Sequence, residues 1–211
     1  MNEQANFSNI HKFYDFINSL VTLGFDKSWR KEASKYLIPG SVLDLGSGTG
    51  ASYRDLMSFD VNSLDPDAQM LSLNKFNKKV VGKSEDLPFS DNSFDNILCC
   101  FVLRNVENVE RSFNEVERVL KPGGKFVLLD MTRPKNTLLK QIHKIGTYLV
   151  LHLIGIFTLN LSEYRFLYFS LDKLPAPEIL IEDVNLEPKF LKRIGLFGFV
   201  YLGLFLSLIH I

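Results

Sequence analysis

A chain of 211 residues suits one α/β domain with modest additions and can bury a core of its own. Its 24 basic and 24 acidic residues cancel, so no excess of positive charge draws a polyanion, and nucleic acid is excluded as the expected partner. The two cysteines, Cys99 and Cys100, are adjacent in an apolar run, which excludes a disulfide framework or a spaced ligand set and fits a reducing, cytoplasmic compartment.

The N-terminal Met1-Asn-Glu-Gln-Ala-Asn-Phe7 lacks the basic-then-apolar pattern of a secretory signal. Phe13, Phe16, Ile17, Leu20 and Leu23 recur near the helical period and predict helix across 7–37, stopped by Pro39-Gly40. Ser41-Val-Leu-Asp-Leu45 reads as a short buried strand, followed by a glycine loop and a helix to about Met57. Val61–Asp65 is a second predicted strand, Pro66 to about Asn77 a helix, and Lys79–Gly82 a third strand. Asn96–Leu103 is apolar throughout, as a central parallel strand should be. Val109–Leu120 is amphipathic and ends at Lys121-Pro-Gly-Gly124, a helix-stop and turn signal, before a fifth strand at Lys125–Asp130. Strands alternating with helices predict a mostly parallel sheet covered on both faces.

The loop Asp44-Leu-Gly-Ser-Gly-Thr-Gly50 carries the first chemistry. Glycines there permit tight turning and close backbone approach, because no Cβ blocks a ligand. Alone, G-x-G-x-G also fits an ordinary strand-to-helix turn or a dinucleotide fingerprint. Asp44 before the glycines, the spacing, and Thr49 between the last two favour a cofactor loop. Asp65, at the end of the second strand, is placed to accept the ribose hydroxyls of an adenosine. The competing role is a helix N-cap, for which Asp67 is the better candidate.

Further along come Ser84-Glu-Asp-Leu-Pro-Phe89, Asp91-Asn-Ser-Phe-Asp95, Phe101-Val-Leu-Arg-Asn-Val106 and Arg118-Val-Leu-Lys-Pro-Gly-Gly-Lys-Phe126. With Tyr14-Asp-Phe-Ile-Asn18, Trp29-Arg30 and Tyr164-Arg-Phe-Leu167, this series resembles the ubiquinone/menaquinone biosynthesis C-methyltransferases, the UbiE type, from about residue 11 to residue 171. The resemblance implies a Rossmann-like class I methyltransferase sandwich: a mostly parallel seven-stranded sheet, an antiparallel last strand and an N-terminal helical lid. It implies one domain over 1–211, with a lid at 1–38, a cofactor-binding core at 39–130, an acceptor-site lid at 131–180 and terminal strands at 181–211.

It also implies S-adenosylmethionine as the cofactor, S-adenosylhomocysteine as product and no metal. Asp44, Gly46, Ser47, Gly48, Thr49 and Gly50 would hold the methionine part, Asp65 the ribose, Lys83 and Ser84 the adenine, and Cys100 would line the cleft. Lys83 departs from the family's Asn or Asp, and a lysine cannot accept from the adenine amino group. Cys100 replaces a common serine. The implied reaction moves a methyl group to a ring carbon of a polyprenylated quinol. Arg104 would stabilise a developing phenolate or position a water, since a guanidinium is a poor base. Asn105 would orient the quinol oxygen, and Tyr14 would close over the sulfonium. For each there is a plainer role: an ion-pair partner, a turn residue and a packing aromatic. Trp29 and Arg30 read as packing and salt-bridge residues, and His143 and His152 as structural or lid residues.

Two apolar stretches remain. Leu138, Ile142, Ile145, Leu149, Leu153 and Ile156 recur at helical spacing and predict either a core-facing helix or, as favoured here, a lid helix touching the membrane surface. Ile194–Ile211 has no formal charge and reads as the last strand pair in preference to a short membrane span. The family usually continues a few residues past the position of Ile211. The expected partner is a small apolar quinol, with a homodimer and peripheral membrane contact left open. Rival functions are methylation of another apolar molecule or lipid, a Rossmann dehydrogenase, and a non-catalytic cofactor-binding scaffold.

Overall fold

A computed structural model describes residues 22, 24–157, 161–182 and 184–208. Its helices are α1 (Phe25–Ser34), α2 (Tyr53–Leu56), α3 (Ala68–Leu73), α4 (Val109–Val119), α5 (Thr137–Phe157), α6 (Leu161–Ser170) and α7 (Pro177–Leu180). Its strands are β1 (Ser41–Leu45), β2 (Asp60–Asp65), β3 (Lys78–Val81), β4 (Phe94–Cys100), β5 (Leu120–Met131), β6 (Glu187–Ile194) and β7 (Val200–Leu206). They form one sheet in the order β3-β2-β1-β4-β5-β7-β6. Strands β1 to β5 pair in parallel, and β7 lies antiparallel to both β5 and β6. The expected Rossmann-like class I methyltransferase sheet is therefore present.

Period-two alternation along the strands divides the core. Leu43, Leu45, Ile97, Phe126, Leu128 and Phe205 face the side covered by Phe113, Val116 and Val119 of α4. Val42, Leu98, Val127, Leu129 and Leu202 face the other side, covered by Trp29 and Ala33 of α1. Helix α4 starts at an Asn108 cap whose side chain accepts from Arg111 N–H (2.9 Å). Helix α3 starts at Asp67, which accepts from Gln69 and Met70, so Asp67 is the structural cap foreseen.

Several boundaries differ from expectation. The helix after the glycine loop is a single turn, because Gly50, Ala51 and Ser52 are spent in turns before Tyr53. The helix expected to Asn77 ends at Leu73, and Asn74 leaves it in an extended conformation. Strand β4 stops at Cys100, not Leu103, because Phe101 adopts φ 66 and breaks the ladder. Lys121-Pro-Gly-Gly124 is not a turn between elements: β5 runs through it, and the extra residues are absorbed as a register shift against β4. The terminal strand pair begins at Glu187, upstream of the charge-free run, which holds only the end of β6 and all of β7. Gly195 and Gly198 make the connection at φ 74 and 69, whereas Gly203 lies within β7. Of the helix expected across 7–37, the described part is Phe25–Ser34; Tyr14 and its neighbours lie outside the described residues.

Helix α5 does not face the core with its apolar stripe. Leu138, Ile142, Ile145, Leu149, Leu153 and Ile156 are each more than half exposed, while Leu151 packs with Tyr164 of α6. Among the described residues, no helix is long and apolar enough to cross a membrane.

Candidate functional site

The sheet order reverses between β1 and β4, and ligands of open α/β folds bind at the carboxyl ends of such strands. The glycine loop leaves β1 at that point, and the Phe101–Asn105 segment leaves β4 beside it. Gly46, Gly48 and Gly50 all have left-handed φ (66, 51 and 83). A Cβ on Gly46 would run into the Val102 side chain, and one on Gly50 would stand 2.6 Å from Asn74 Oδ1. The loop is held from both sides. Ser47 N–H donates to Leu64 O (2.9 Å), and the buried Asn74 donates through Nδ2 to Ser47 Oγ (3.2 Å). Thr49 sits half-buried between the last two glycines.

Two carboxylates flank this loop. Asp65 Oδ2 accepts Gly48 N–H (2.8 Å) and Oδ1 accepts Asp67 N–H (2.9 Å). A carboxylate has about four lone-pair sites, so both oxygens keep capacity for ligand hydroxyls. Asp44 is different. It is buried, and its Oδ2 has no hydrogen-bond partner. Burial pushes its carboxyl up to about 7, with Arg30 opposing that rise and Asp65 reinforcing it. A buried, unsatisfied carboxylate beside a glycine loop suits a cationic ligand. S-adenosylmethionine, with an ammonium and a sulfonium, has that chemistry.

At the other end of the loop the geometry is less direct. Lys83 is exposed and pairs with Glu107 (3.4 Å). Ser84 is buried, and its hydroxyl donates to Glu85 (3.0 Å). Cys100 is buried at the end of β4, and burial pushes its thiol up to about 12, so it stays protonated.

Past β4, Phe101 is an aromatic at positive φ, an uncommon and strained backbone state. It throws the chain into a 3₁₀ turn, Leu103–Asn105. Arg104 on this turn is only 3% exposed, so it is not a surface ion-pair residue. Its Nη1 points at the Met131 sulfur (2.9 Å), a weak acceptor, and its Nε has no partner. Asn105 is exposed at the end of the turn. Tyr14 lies outside the described residues.

The structure thus gathers Asp44, Gly46, Ser47, Gly48, Thr49, Gly50, Asp65, Cys100, Arg104 and Asn105 around one sheet edge. Lys83 and Ser84 follow the carboxyl end of β3 in the same sheet. Three further residues stand there that the sequence does not single out: Asn74, which falls within the predicted helix; Asp130, whose buried carboxylate anchors the Arg104 turn through Leu103 N–H (2.8 Å); and Arg30, which reads as a packing and salt-bridge residue and donates to Ser52 (3.1 Å). Only Arg30 carried a sequence signal, the Trp-Arg pair.

The model of the ubiE/COQ5 methyltransferase family matches residues 2–186. The ubiquinone/menaquinone biosynthesis C-methyltransferase UbiE of Geotalea daltonii is 33% identical over 195 residues, covering 83% of this chain and 82% of that protein. Its namesake from Rickettsia bellii is 32% identical over 205 residues, covering 86% and 83%. Among solved structures, a SAM-dependent methyltransferase from Aquifex aeolicus covers 94% of this chain and 97% of its own, at TM-score 0.60 and 17% identity. At that identity the likeness speaks for the fold alone.

Proposed function

The chain belongs to the ubiE/COQ5 methyltransferase family and is an S-adenosylmethionine-dependent methyltransferase; we propose that its acceptor is a ring carbon of a polyprenylated quinol. The observation that carries this reading is the burial of Arg104 on the turn after β4, with Nε unsatisfied, at the edge where the glycine loop also ends. A guanidinium whose Nε has no acceptor, in a shielded place, is suited to an oxyanion that develops during reaction.

In this reading, Gly46, Ser47, Gly48, Thr49 and Gly50 hold the methionine part of the cofactor, and Asp44 meets its positive charge. Asp65 takes the ribose hydroxyls. The backbone at Lys83 and Ser84 borders the adenine, and Cys100 lines the cleft as a neutral thiol. When bound, S-adenosylmethionine supplies an electrophilic methyl group. Arg104 stabilises the phenolate that makes the neighbouring ring carbon nucleophilic, or holds the water that takes the phenol proton. Asn105 orients the quinol oxygen, and Tyr14 covers the sulfonium from the N-terminal lid (1–38). Phenolate and sulfonium neutralise one another in the step, so a dry cleft does not oppose it. The core at 39–130 binds the cofactor, 131–180 covers the acceptor, and 181–211 completes the sheet.

The same reading puts the protein at the cytoplasmic face of a membrane. What supports this is helix α5, whose apolar stripe is exposed and which carries no carboxylate; its Lys144 lies on the opposite face and pairs with Asp172 (3.2 Å). An exposed apolar stripe of this kind suits a bilayer surface.

The test supplies purified protein, labelled S-adenosylmethionine and a panel of demethylated benzoquinols and naphthoquinols in detergent. Label in a demethylated quinol is the expected result. Label appearing only in another lipid would refute the quinol acceptor and leave the methyltransferase standing.

A further inference from the structure

Arg30 has no task in the reaction as derived. It lies on α1 next to Trp29, on the sheet face that also holds Cys100 and Phe101. Its guanidinium stands 5.0 Å from the centroid of the Phe101 ring. Its Nη1 donates to Ser52 Oγ (3.1 Å), and Ser52 is a buried residue two positions past Gly50. Its Nε is buried and has no partner. By strand alternation Asp44 faces the same side as Val42, the side on which α1 packs.

Arg30 and Asp44 are therefore opposite charges on one side of one strand, close enough for Arg30 to favour ionisation of the Asp44 carboxyl. Yet they do not satisfy each other: Arg30 Nε and Asp44 Oδ2 are both unpartnered. An ion pair between them would have spared both groups their burial cost. What remains is a donor and an acceptor side by side, held apart by separate anchors. Ser52 fixes Nη1, and the strained Phe101 keeps its ring against the guanidinium. The Nε–Nη2 edge, taken by neither anchor, is the edge that binds a carboxylate with two parallel N–H donors. A neighbouring donor pair and free carboxylate oxygen are the complement of an α-amino acid zwitterion.

We infer that Arg30 receives the α-carboxylate of the methyl donor's amino-acid end through its Nε–Nη2 edge, while Asp44 receives the ammonium. This rests on the assignment of S-adenosylmethionine as the donor. It makes α1 part of the cofactor site rather than a packing element alone, and it explains why an arginine is seated against Ser52 at the foot of the glycine loop.

Calorimetry on the whole protein tests it with three probes. S-adenosylhomocysteine carries the full zwitterion, its decarboxylated analogue keeps the ammonium only, and 5′-methylthioadenosine lacks both groups. The wild type should prefer S-adenosylhomocysteine over the decarboxylated analogue by about ten- to a hundredfold, the worth of a charged hydrogen-bonded pair. Arg30→Met, which keeps the apolar stem, should lose that preference and bind methylthioadenosine as the wild type does. If Arg30→Met does not fold, Arg30→Lys carries the test: it keeps the charge but not the fork, and its preference should fall below that of the wild type. A variant that retains the full wild-type preference overturns the inference. Wild-type protein that binds none of the three probes would sink the methyl-donor assignment itself, a result distinct from an unchanged preference in the variant.

Discussion

The carboxylate of Asp130 accepts the backbone N–H of Leu103 at 2.8 Å, tying the end of β5 to the turn that carries Arg104. Its second oxygen accepts Met131 N–H (2.7 Å), and the Arg104 guanidinium favours its charged form against burial, which pushes the carboxyl up. Asparagine has the same shape but one acceptor oxygen, so Asp130→Asn turns an amide N–H₂ toward a backbone donor. The expected cost is about 1–3 kcal/mol, read by urea unfolding. Turnover should fall at least about tenfold, because the turn loses its anchor and Arg104 its countercharge, whereas S-adenosylhomocysteine affinity should change little. Unchanged turnover would mean that the turn is held well enough without Asp130.

Arg104→Ala should abolish methyl transfer and leave S-adenosylhomocysteine affinity within roughly tenfold, about 1.4 kcal/mol. Arg104→Lys is expected to recover little, because an ammonium is a compact, strongly hydrated charge without the planar fork. Stopped assays that find near-normal turnover in the alanine variant would remove Arg104 from the reaction.

The central strands were legible because parallel strands buried on both faces are written as unbroken apolar runs, as in Ile97-Leu-Cys-Cys100. Strand β6 was not, because it is the outer strand and carries Glu187, Lys189, Lys192 and Arg193, a composition shared with loops. The glycine loop and its two carboxylates could be read from local spacing. Asn74, Arg30 and Asp130 could not, since each matters through a partner far away in the chain. Arg30 meets Ser52 22 residues on, Asn74 meets Ser47 27 residues back, and Asp130 meets Leu103 27 residues back. The end of β4 escapes the pattern for another reason: nothing in Phe101-Val-Leu103 announces an aromatic with left-handed φ.

Asp44 gives the site a pH dependence. Its carboxyl is raised from 3.8 to about 7 by burial. The folded state thus binds a proton that the unfolded state has lost between those values. Stability is fully present below the unfolded pKa and declines as pH rises through the folded one, by on the order of 4 kcal/mol. Asp44→Asn removes that decline, so it should exceed the wild type in stability at pH 8 and match it near pH 4. Ligand binding should show the opposite trend. A cationic ligand needs the carboxylate, so wild-type S-adenosylmethionine affinity should rise between pH 6 and 8 and be flat and weaker in Asp44→Asn. Calorimetry in buffers of different ionisation enthalpy should detect proton release on binding at pH 6; no release would contradict the assigned contact.

The apolar stripe of α5 predicts attachment to lipid. Leu149 and Leu153 are both more than half exposed. Replacing both by glutamate should change folding stability by about 0.5 kcal/mol or less per site. The same pair of changes puts negative charge on the face assigned to the bilayer. Wild-type protein should float with phosphatidylglycerol vesicles and the double variant should not. Wild-type protein that stays at the bottom of the gradient at low salt would refute the membrane role of this helix.

Arg133 fastens that helix to the sheet. It is buried just past β5 and holds Asp172 through Nη2 (2.9 Å) and Nε (3.2 Å), Thr147 of α5 through Nη1 (3.0 Å) and the carbonyl of Tyr168 in α6 (3.2 Å). Its own carbonyl accepts from Arg193 Nη1 (2.8 Å) on β6, so the tie continues into the terminal strands. His143 faces the same guanidinium at 3.2 Å, and burial, assisted by Arg133, lowers its pKa to about 4, so it stays neutral at physiological pH. Arg133→Met keeps the stem but leaves Asp172 only Lys144 (3.2 Å) and removes the donor to Thr147 Oγ1 and to the Tyr168 carbonyl. The expected cost is about 2–4 kcal/mol. The change should be local: amide exchange should rise across α5 and α6 while β1 and β4 keep their protection. Because these helices cover the proposed acceptor side and not the glycine loop, KM for the quinol should rise with S-adenosylhomocysteine affinity unchanged. Exchange in α5 that stays at the wild-type rate would show that the α5–α6 pair is held to the sheet by other contacts.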